Sequence, residues 1–367
     1  MRKNAWPGKA ALSIGLATAL LYTLGCGVGN TPPKPPLNTY LYVGAVSQLT
    51  PINPSSSGSI TQFKVESDGA LTTLNTTTLN NTATGNSLFS TVAVSPGSQY
   101  LLASGAYGIS EFGIGSDGIL GATAIPPTGG TALAFTPDAQ FVFAANNADN
   151  TLNSYGLSAS GVLTPINTVT TGGYPTYVAV DGSGKFAYVA NSNDGTISEY
   201  TISAGGVLSD NGSISTGGNN PGSLAVSPGG FLYCANDNSG SVSRFSIDGS
   251  SGALTLLSNY TMSPRVSLFQ VSFDPAGAYA YINTPTALLA QLRVDEITGA
   301  LTSNGTTTIF GGANSEGVDP SGRFLFTANA DGTVSQFIIS STGALIPNGS
   351  VSLGVNMIGE TLAFAQR

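Results

Sequence analysis

Histidine is absent from all 367 residues, and the single tryptophan, Trp6, stands near the start of the chain. Without imidazole, catalysis by a histidine base and metal binding through histidine are excluded. Cysteine is almost as scarce, with only Cys26 and Cys234 present. No apolar run reaches the roughly 20 residues that a bilayer-crossing helix needs. No phosphate-binding glycine loop and no Ser-His-Asp set can be assembled, and nothing along the chain has helical periodicity.

The start of the chain carries its own signal. Arg2, Lys3 and Lys9 precede an apolar run, Ala10 to Leu24, that ends in Gly25-Cys26-Gly27. A basic segment, a short apolar segment and small residues in that order are a signal peptide, assigned here to residues 1–25. Thr23-Leu24-Gly25-Cys26 resembles a lipobox, in which the cysteine is acylated and becomes the first mature residue. Thr23 and Leu24 depart from its usual order of leucine then a small residue, so plain cleavage stays open. Residues 26–38, with their prolines, then form an extended tether of about 35 Å at about 3 Å per residue. Anchoring through Cys26 leaves Cys234 no partner for an intramolecular disulfide, so stability must come from the core.

Removal of the leader leaves 8 basic residues against 19 acidic ones, a net charge of −11. Such an acidic chain is a poor partner for nucleic acid or for an anionic membrane surface, so the only membrane contact expected is the lipid anchor.

Self-similarity organises the rest. A Gly-x-Leu element recurs with its glycine at 69, 118, 161, 206, 252, 299 and 343, at steps of 43 to 49 residues. Each repeat holds an apolar strand entering a turn (Leu224-Ala225-Val226-Ser227-Pro228) and an aromatic, β-branched strand (Phe186-Ala187-Tyr188-Val189). A third strand alternates (Thr196-Ile197-Ser198-Glu199-Tyr200), as if one face were packed and the other wetter, and a weaker fourth strand follows Gly-x-Leu. Periods in the 40s built of four strands predict an all-β, seven-bladed β-propeller over residues 39–367. The first repeat opens at Tyr40-Leu41-Tyr42-Val43, a second strand. Thr361-Leu362-Ala363-Phe364, at the chain's end, supplies the missing innermost strand and closes the ring, hiding its edges. A closed ring of this kind is expected to act as a monomer.

Phe186 to Tyr200, FAYVANSNDGTISEY, together with the Gly-x-Leu element resembles the lactonase family of propellers, which includes 6-phosphogluconolactonase and carboxymuconate-cyclising types, and the related YVTN-repeat propellers. The resemblance covers residues 39–367 and implies the fold more firmly than the activity. Family enzymes carry Gly-Pro-Arg-His entering an innermost strand and Asn-Glu-Leu after the next strand. The matching places read Tyr174-Pro175-Thr176-Tyr177 with Asn191-Ser192, and Asn220-Pro221-Gly222-Ser223 with Asn236-Asp237. Arginine and histidine are missing, and the glutamate survives only as Asp237. Lactone opening needs a base for water and cations for the developing carboxylate, so these losses weigh against the family's chemistry.

Other groups invite roles. Glu316 falls in the apolar column formed by Val92, Leu133, Val178, Leu224, Val271 and Leu362; either it is buried or faces the channel, or a one-residue slip lets it reach water. Arg265 is one of few cations and is expected on the same face as the loops that follow the second strands. Tyr174 and Tyr177 either line a ligand mouth or pack. The turns around Asn146, Asn191, Asn236 and Asn329 lack the distal acid of a calcium loop and sit where hairpins need Asx and glycine, so no metal and no cofactor is expected. Cys234 aligns with core residues and is read as core.

These observations predict a cell-envelope lipoprotein, periplasm-facing or at the cell surface. Its propeller would bind a protein, glycan or small ligand without catalysis, through Tyr174, Tyr177, Asn191, Asn236, Asp237, Arg265 or Glu316. The alternative is a divergent lactonase using Asp237 or Glu316 with Arg265.

Overall fold

Polar residues that end six of the seven innermost strands decide where the chain turns. The side chains of Ser95, Thr136, Asp181, Ser227, Asp274 and Asp319 each accept the backbone N–H that starts the following strand, as in Phe186 N to Asp181 Oδ1 at 2.8 Å. Such side-chain-closed turns bring successive strands back antiparallel. A computed structural model describes residues 38–47, 58–79, 90–105, 108–122, 130, 132–263, 266–284, 287–354 and 356–367. The signal segment, Cys26, the tether and Arg265 lie outside these residues. Among the described residues every regular element is a strand, arranged as seven four-stranded antiparallel sheets, the blades of a seven-bladed β-propeller.

Blade five shows the plan: innermost strand Pro221–Val226, second strand Phe231–Asn236, third strand Ser241–Ile247 and outer strand Leu254–Thr261. Blade one is completed from the far end of the chain. Met357–Gln366 pairs antiparallel with Thr39–Ser47, setting Val43 opposite Leu362 and Leu41 opposite Phe364. The predicted closure is therefore the one the chain uses.

The core is divided into seven slices, one in each seam between neighbouring blades. In the seam between blades four and five, for example, Tyr188 and Ile197 of one blade pack with Leu224, Cys234 and Phe245 of the next. Cys234 is fully buried, as read from the repeat, and burial pushes its thiol pKa up.

The third strand departs from its reading. Its polar residues do not face water: Gln62, Glu111, Ser154, Glu199, Gln291 and Gln336 are all buried. The reason is a latch between blades. Leu120 N donates to Gln62 Oε1 at 3.0 Å, Leu163 N to Glu111 Oε1 at 3.1 Å, Leu254 N to Glu199 Oε2 at 3.2 Å and Leu345 N to Gln291 Oε1 at 3.2 Å. Each donor is the leucine of the next blade's Gly-x-Leu. The glycine takes part too: the hydroxyls of Tyr42, Tyr188, Tyr233 and Tyr281 donate to the carbonyls of Gly118, Gly252, Gly299 and Gly343. A bulge in the outer strand, opposite Gln62, Ser154, Glu199, Arg244 and Gln291, marks the latch position. Gly-x-Leu is thus the receiving half of a blade-to-blade clasp.

Candidate functional site

The innermost strands start at the end of the ring where the second strands finish in asparagine: Pro175 pairs with Asn191, Pro221 with Asn236 and Ala313 with Asn329. Here six blades surround a cavity of about 220 Å³ lined by Ser90, Thr176, Tyr177, Phe269, Asn314 and Glu360, among others. Its walls come from the two residues that precede the apolar column in each blade. That volume is below the roughly 300–1,000 Å³ of drug-sized pockets, and fits a smaller ligand.

Hydrogen bonds between innermost strands hold these walls. Thr176 Oγ1 donates to Pro221 O at 3.0 Å, and Val271 N to Ser223 Oγ at 3.4 Å. Gln270 Nε2 donates to Glu316 O at 3.1 Å while its Oε1 accepts from Ser315 Oγ at 3.0 Å. Asn314 Nδ2 donates to Gly359 O at 2.9 Å, and Val92 N to Thr361 Oγ1 at 3.2 Å. From blade four through seven, one and two, each innermost strand is tied to its neighbour by a side chain, which fixes the cavity's shape.

Glu316 is not slipped. It pairs with Thr327 as Val178 pairs with Val189 and Leu224 with Cys234, and it is 1% exposed. Burial raises its pKa well above the ordinary glutamate value. The Ser272 hydroxyl approaches and offsets part of that rise, yet neither carboxyl oxygen nor the hydroxyl reaches hydrogen-bond geometry. Its carboxylate helps desolvation push the Tyr177 phenol up to about 12. Tyr177 and Glu316 are therefore brought together, with Tyr177 in the cavity wall and Glu316 outside its lining.

The other candidates are placed elsewhere. Tyr174 is exposed, with φ +57°, and its backbone N–H donates to Asn150 Oδ1 at 2.8 Å. Asn191 and Asn236 are fully buried; their amides donate to Ser198 Oγ at 2.9 Å and Ser243 Oγ at 2.7 Å, which closes the hairpins from within. Expected as ligand contacts, both lie inside their blades because glycines 172 and 218 pack directly on them. Asp237 is half-buried and accepts from Asn220 Nδ2 at 3.2 Å, outside the cavity lining. The Asx turns satisfy themselves, as where Asp194 Oδ2 accepts Gly173 N at 2.6 Å, and among the described residues no three metal-ligand side chains gather.

Glu360 is the group that sequence reasoning missed. It lines the cavity half-buried, and burial raises its pKa. Its signal was its place immediately before Thr361, two residues ahead of Leu362 in the apolar column, where the matching residues of blades two and seven are Ser90 and Asn314. No described lining residue is cationic.

A propeller of seven four-stranded blades with a polar axial cavity is the class that this fold and site define. The chain belongs to the lactonase family of seven-bladed β-propellers, whose family model matches residues 55–180 and 177–273. Solved structures agree in fold. A putative 6-phosphogluconolactonase from Bacteroides fragilis is 18% identical, with 91% of this chain and 99% of that one covered and a TM-score of 0.75. The Pseudomonas aeruginosa periplasmic gluconolactonase is 18% identical, with 88% and 99% covered and a TM-score of 0.70. No curated protein sequence matches the chain significantly.

Proposed function

We propose that this chain is an exported, lipid-anchored binding module whose axial cavity holds a small hydroxylated ligand, without lactone hydrolysis. One observation carries the reading: the cavity walls offer hydroxyls, amides and one carboxylate, and no described cation. Thr176, Tyr177 and Gly222 stand where the family resemblance would put arginine and histidine. A phosphorylated or carboxylated lactone would meet Glu360 with nothing positive to hold it, and carboxylate release would lack a stabilising partner. A rigid ring of neutral hydrogen-bonding groups suits sugar hydroxyls, and Phe269 at the wall adds an apolar face. A protein or glycan partner offering a terminal sugar would be met by the same groups.

The rival reading, a divergent lactone hydrolase, draws on family membership and on the carboxyls of Glu360 and Glu316, whose pKa values burial raises, a change in the direction that favours proton transfer. Turnover assays with gluconolactone and 6-phosphogluconolactone separate the two. The binding reading expects no rate above background; turnover that disappears in Glu360→Gln with the fold intact would establish the hydrolase.

The anchor rests on Cys26 and is tested apart from the site. Cys26→Ser should leave a folded propeller that moves from the membrane pellet to the soluble or precursor fraction. An unacylated mature N-terminus in wild type, seen by intact mass, would refute lipidation.

A further inference from the structure

The ring of hydrogen bonds uses up donors on the cavity wall. Thr176 spends its hydroxyl proton on Pro221 O, Ser315 on Gln270 Oε1, and one amide proton each of Gln270 and Asn314 goes to Glu316 O and Gly359 O. Two of the wall's hydroxyl protons are therefore engaged within the ring, and the oxygens of Thr176 and Ser315 keep lone pairs. Glu360 adds a carboxylate to the lining that no described donor reaches. Tyr177 is the remaining phenolic donor.

The described cations leave the carboxylate of the cavity unopposed. The six described cations stand away from the cavity. Arg244, Arg293 and Arg323 stack on Phe231, Tyr279 and Phe324, the first residues of second strands at the far end. Lys64 pairs with Glu66, Lys185 sits in a turn at the far end, and Arg367 donates to Ile114 O. The cavity end carries Asp149, Asp194, Asp237 and Asp331 in its hairpins, and the cations at the far end stand among carboxylates of their own, such as Asp181, Asp274 and Asp319. Fields of one sign focused into a cleft select ligands of the other.

We infer that the cavity takes a cationic ligand, a hydroxylated primary amine such as an amino sugar, with Glu360 as its counter-ion. An ammonium group has three donors and no acceptor, the complement of a carboxylate flanked by hydroxyl and amide oxygens and faced by no described cation. Phe269 and Tyr177 offer aromatic faces, which also attract ammonium. This rests on the binding reading above and adds the charge of the ligand to it. It sets the chain apart from enzymes acting on anionic phosphorylated lactones.

The test is calorimetric titration of the intact, detergent-purified protein with glucosamine, glucose, ethanolamine and gluconate. Glucosamine should bind about tenfold tighter than glucose, the range of a partly buried charged hydrogen bond. Gluconate should not bind, and added salt should weaken glucosamine alone. Glu360→Gln should erase the glucosamine preference at an unchanged melting temperature. Should that variant unfold, Ser90→Asp, which adds a carboxylate to the wall, should tighten glucosamine instead. Equal binding of glucose and glucosamine, in wild type and Glu360→Gln alike, would overturn the charge assignment and leave the binding reading standing. Binding of none of the four overturns both.

Discussion

Gln62 Oε1 accepts the backbone N–H of Leu120 at 3.0 Å, joining blade one to blade two across 58 residues of sequence. Arg244 occupies the same place in blade five and has no acceptor to give. Its Nε and Nη1 are buried without partners, over the ring of Phe231. Leu301, the leucine of the next Gly-x-Leu, is thereby deprived of its acceptor.

Arg244→Gln should restore the clasp between blades five and six. Relieving two buried orphan donors and making one amide bond should stabilise the protein by about 1–2 kcal/mol. Urea unfolding at neutral pH measures it. A loss of stability would mean that Arg244 works through its stacking on Phe231 and not against the seam.

A glycine test separates the clasp from mere turn geometry. Gly252 has φ +76°, and an added Cβ would lie 2.2 Å from Phe186 Cδ1, whereas Gly97 has φ +79° with nothing within 4 Å. Gly97→Ala should cost only the left-handed backbone strain, about 1 kcal/mol. Gly252→Ala adds a steric clash inside a packed seam and should cost about 2–4 kcal/mol. Equal costs would show that Phe186 gives way and that the aromatic-on-glycine contact is not what the repeat preserves.

These contrasts explain how far the sequence could be read. Blade number and closure were legible because turn residues, strand composition and Gly-x-Leu recur at one period. The clasp was not, because Gln62, Glu111 and Glu199 alternate with apolar residues just as solvent-facing residues would, and only the neighbouring blade reveals that they are buried. Glu316 was legible as an intruder in an apolar column, but its burial depended on a register that the sequence leaves open. Glu360 was passed over because cavity residues are set by convergence of six strands, and no local pattern marks that point.

Glu316 makes stability depend on pH in a defined sense. Its folded pKa is raised, so the native state keeps a proton that the unfolded chain loses. Its contribution is full below the ordinary value near 4.5 and is lost as pH rises toward the raised one. The buried carboxyls of Glu111 and Glu199 and the half-buried one of Glu360 act in the same direction. Stability should therefore be higher at mildly acidic pH than at neutral pH. Glu316→Leu, which supplies the residue found at 133, 224 and 362, should flatten this slope and raise stability at neutral pH by about 1–4 kcal/mol. An unchanged slope would mean that Glu316 ionises in contact with water.

Closure by Met357–Gln366 is the most demanding feature to remove. The strand pairs with Thr39–Ser47 along its whole length, Phe364 packs against Phe326 of blade seven at 5.8 Å, and Thr361 Oγ1 accepts Val92 N of blade two. One segment thus holds a sheet edge and two seams. Deleting residues 356–367 should leave an unpaired edge on Thr39–Ser47 and a breached core, giving aggregation or a much lower, less cooperative melt. Because the vacated place is a strand-shaped slot with its hydrogen-bonding partners in position, a synthetic peptide of residues 356–367 should enter it by strand addition and recover part of the lost melting temperature. Phe364→Ala within that peptide should weaken the rescue, since the ring supplies its main apolar contact to blade seven. Cooperative melting of the truncated chain at the full-length temperature would show that blade one stands on three strands, and that the ring is not held shut by its C-terminal strand.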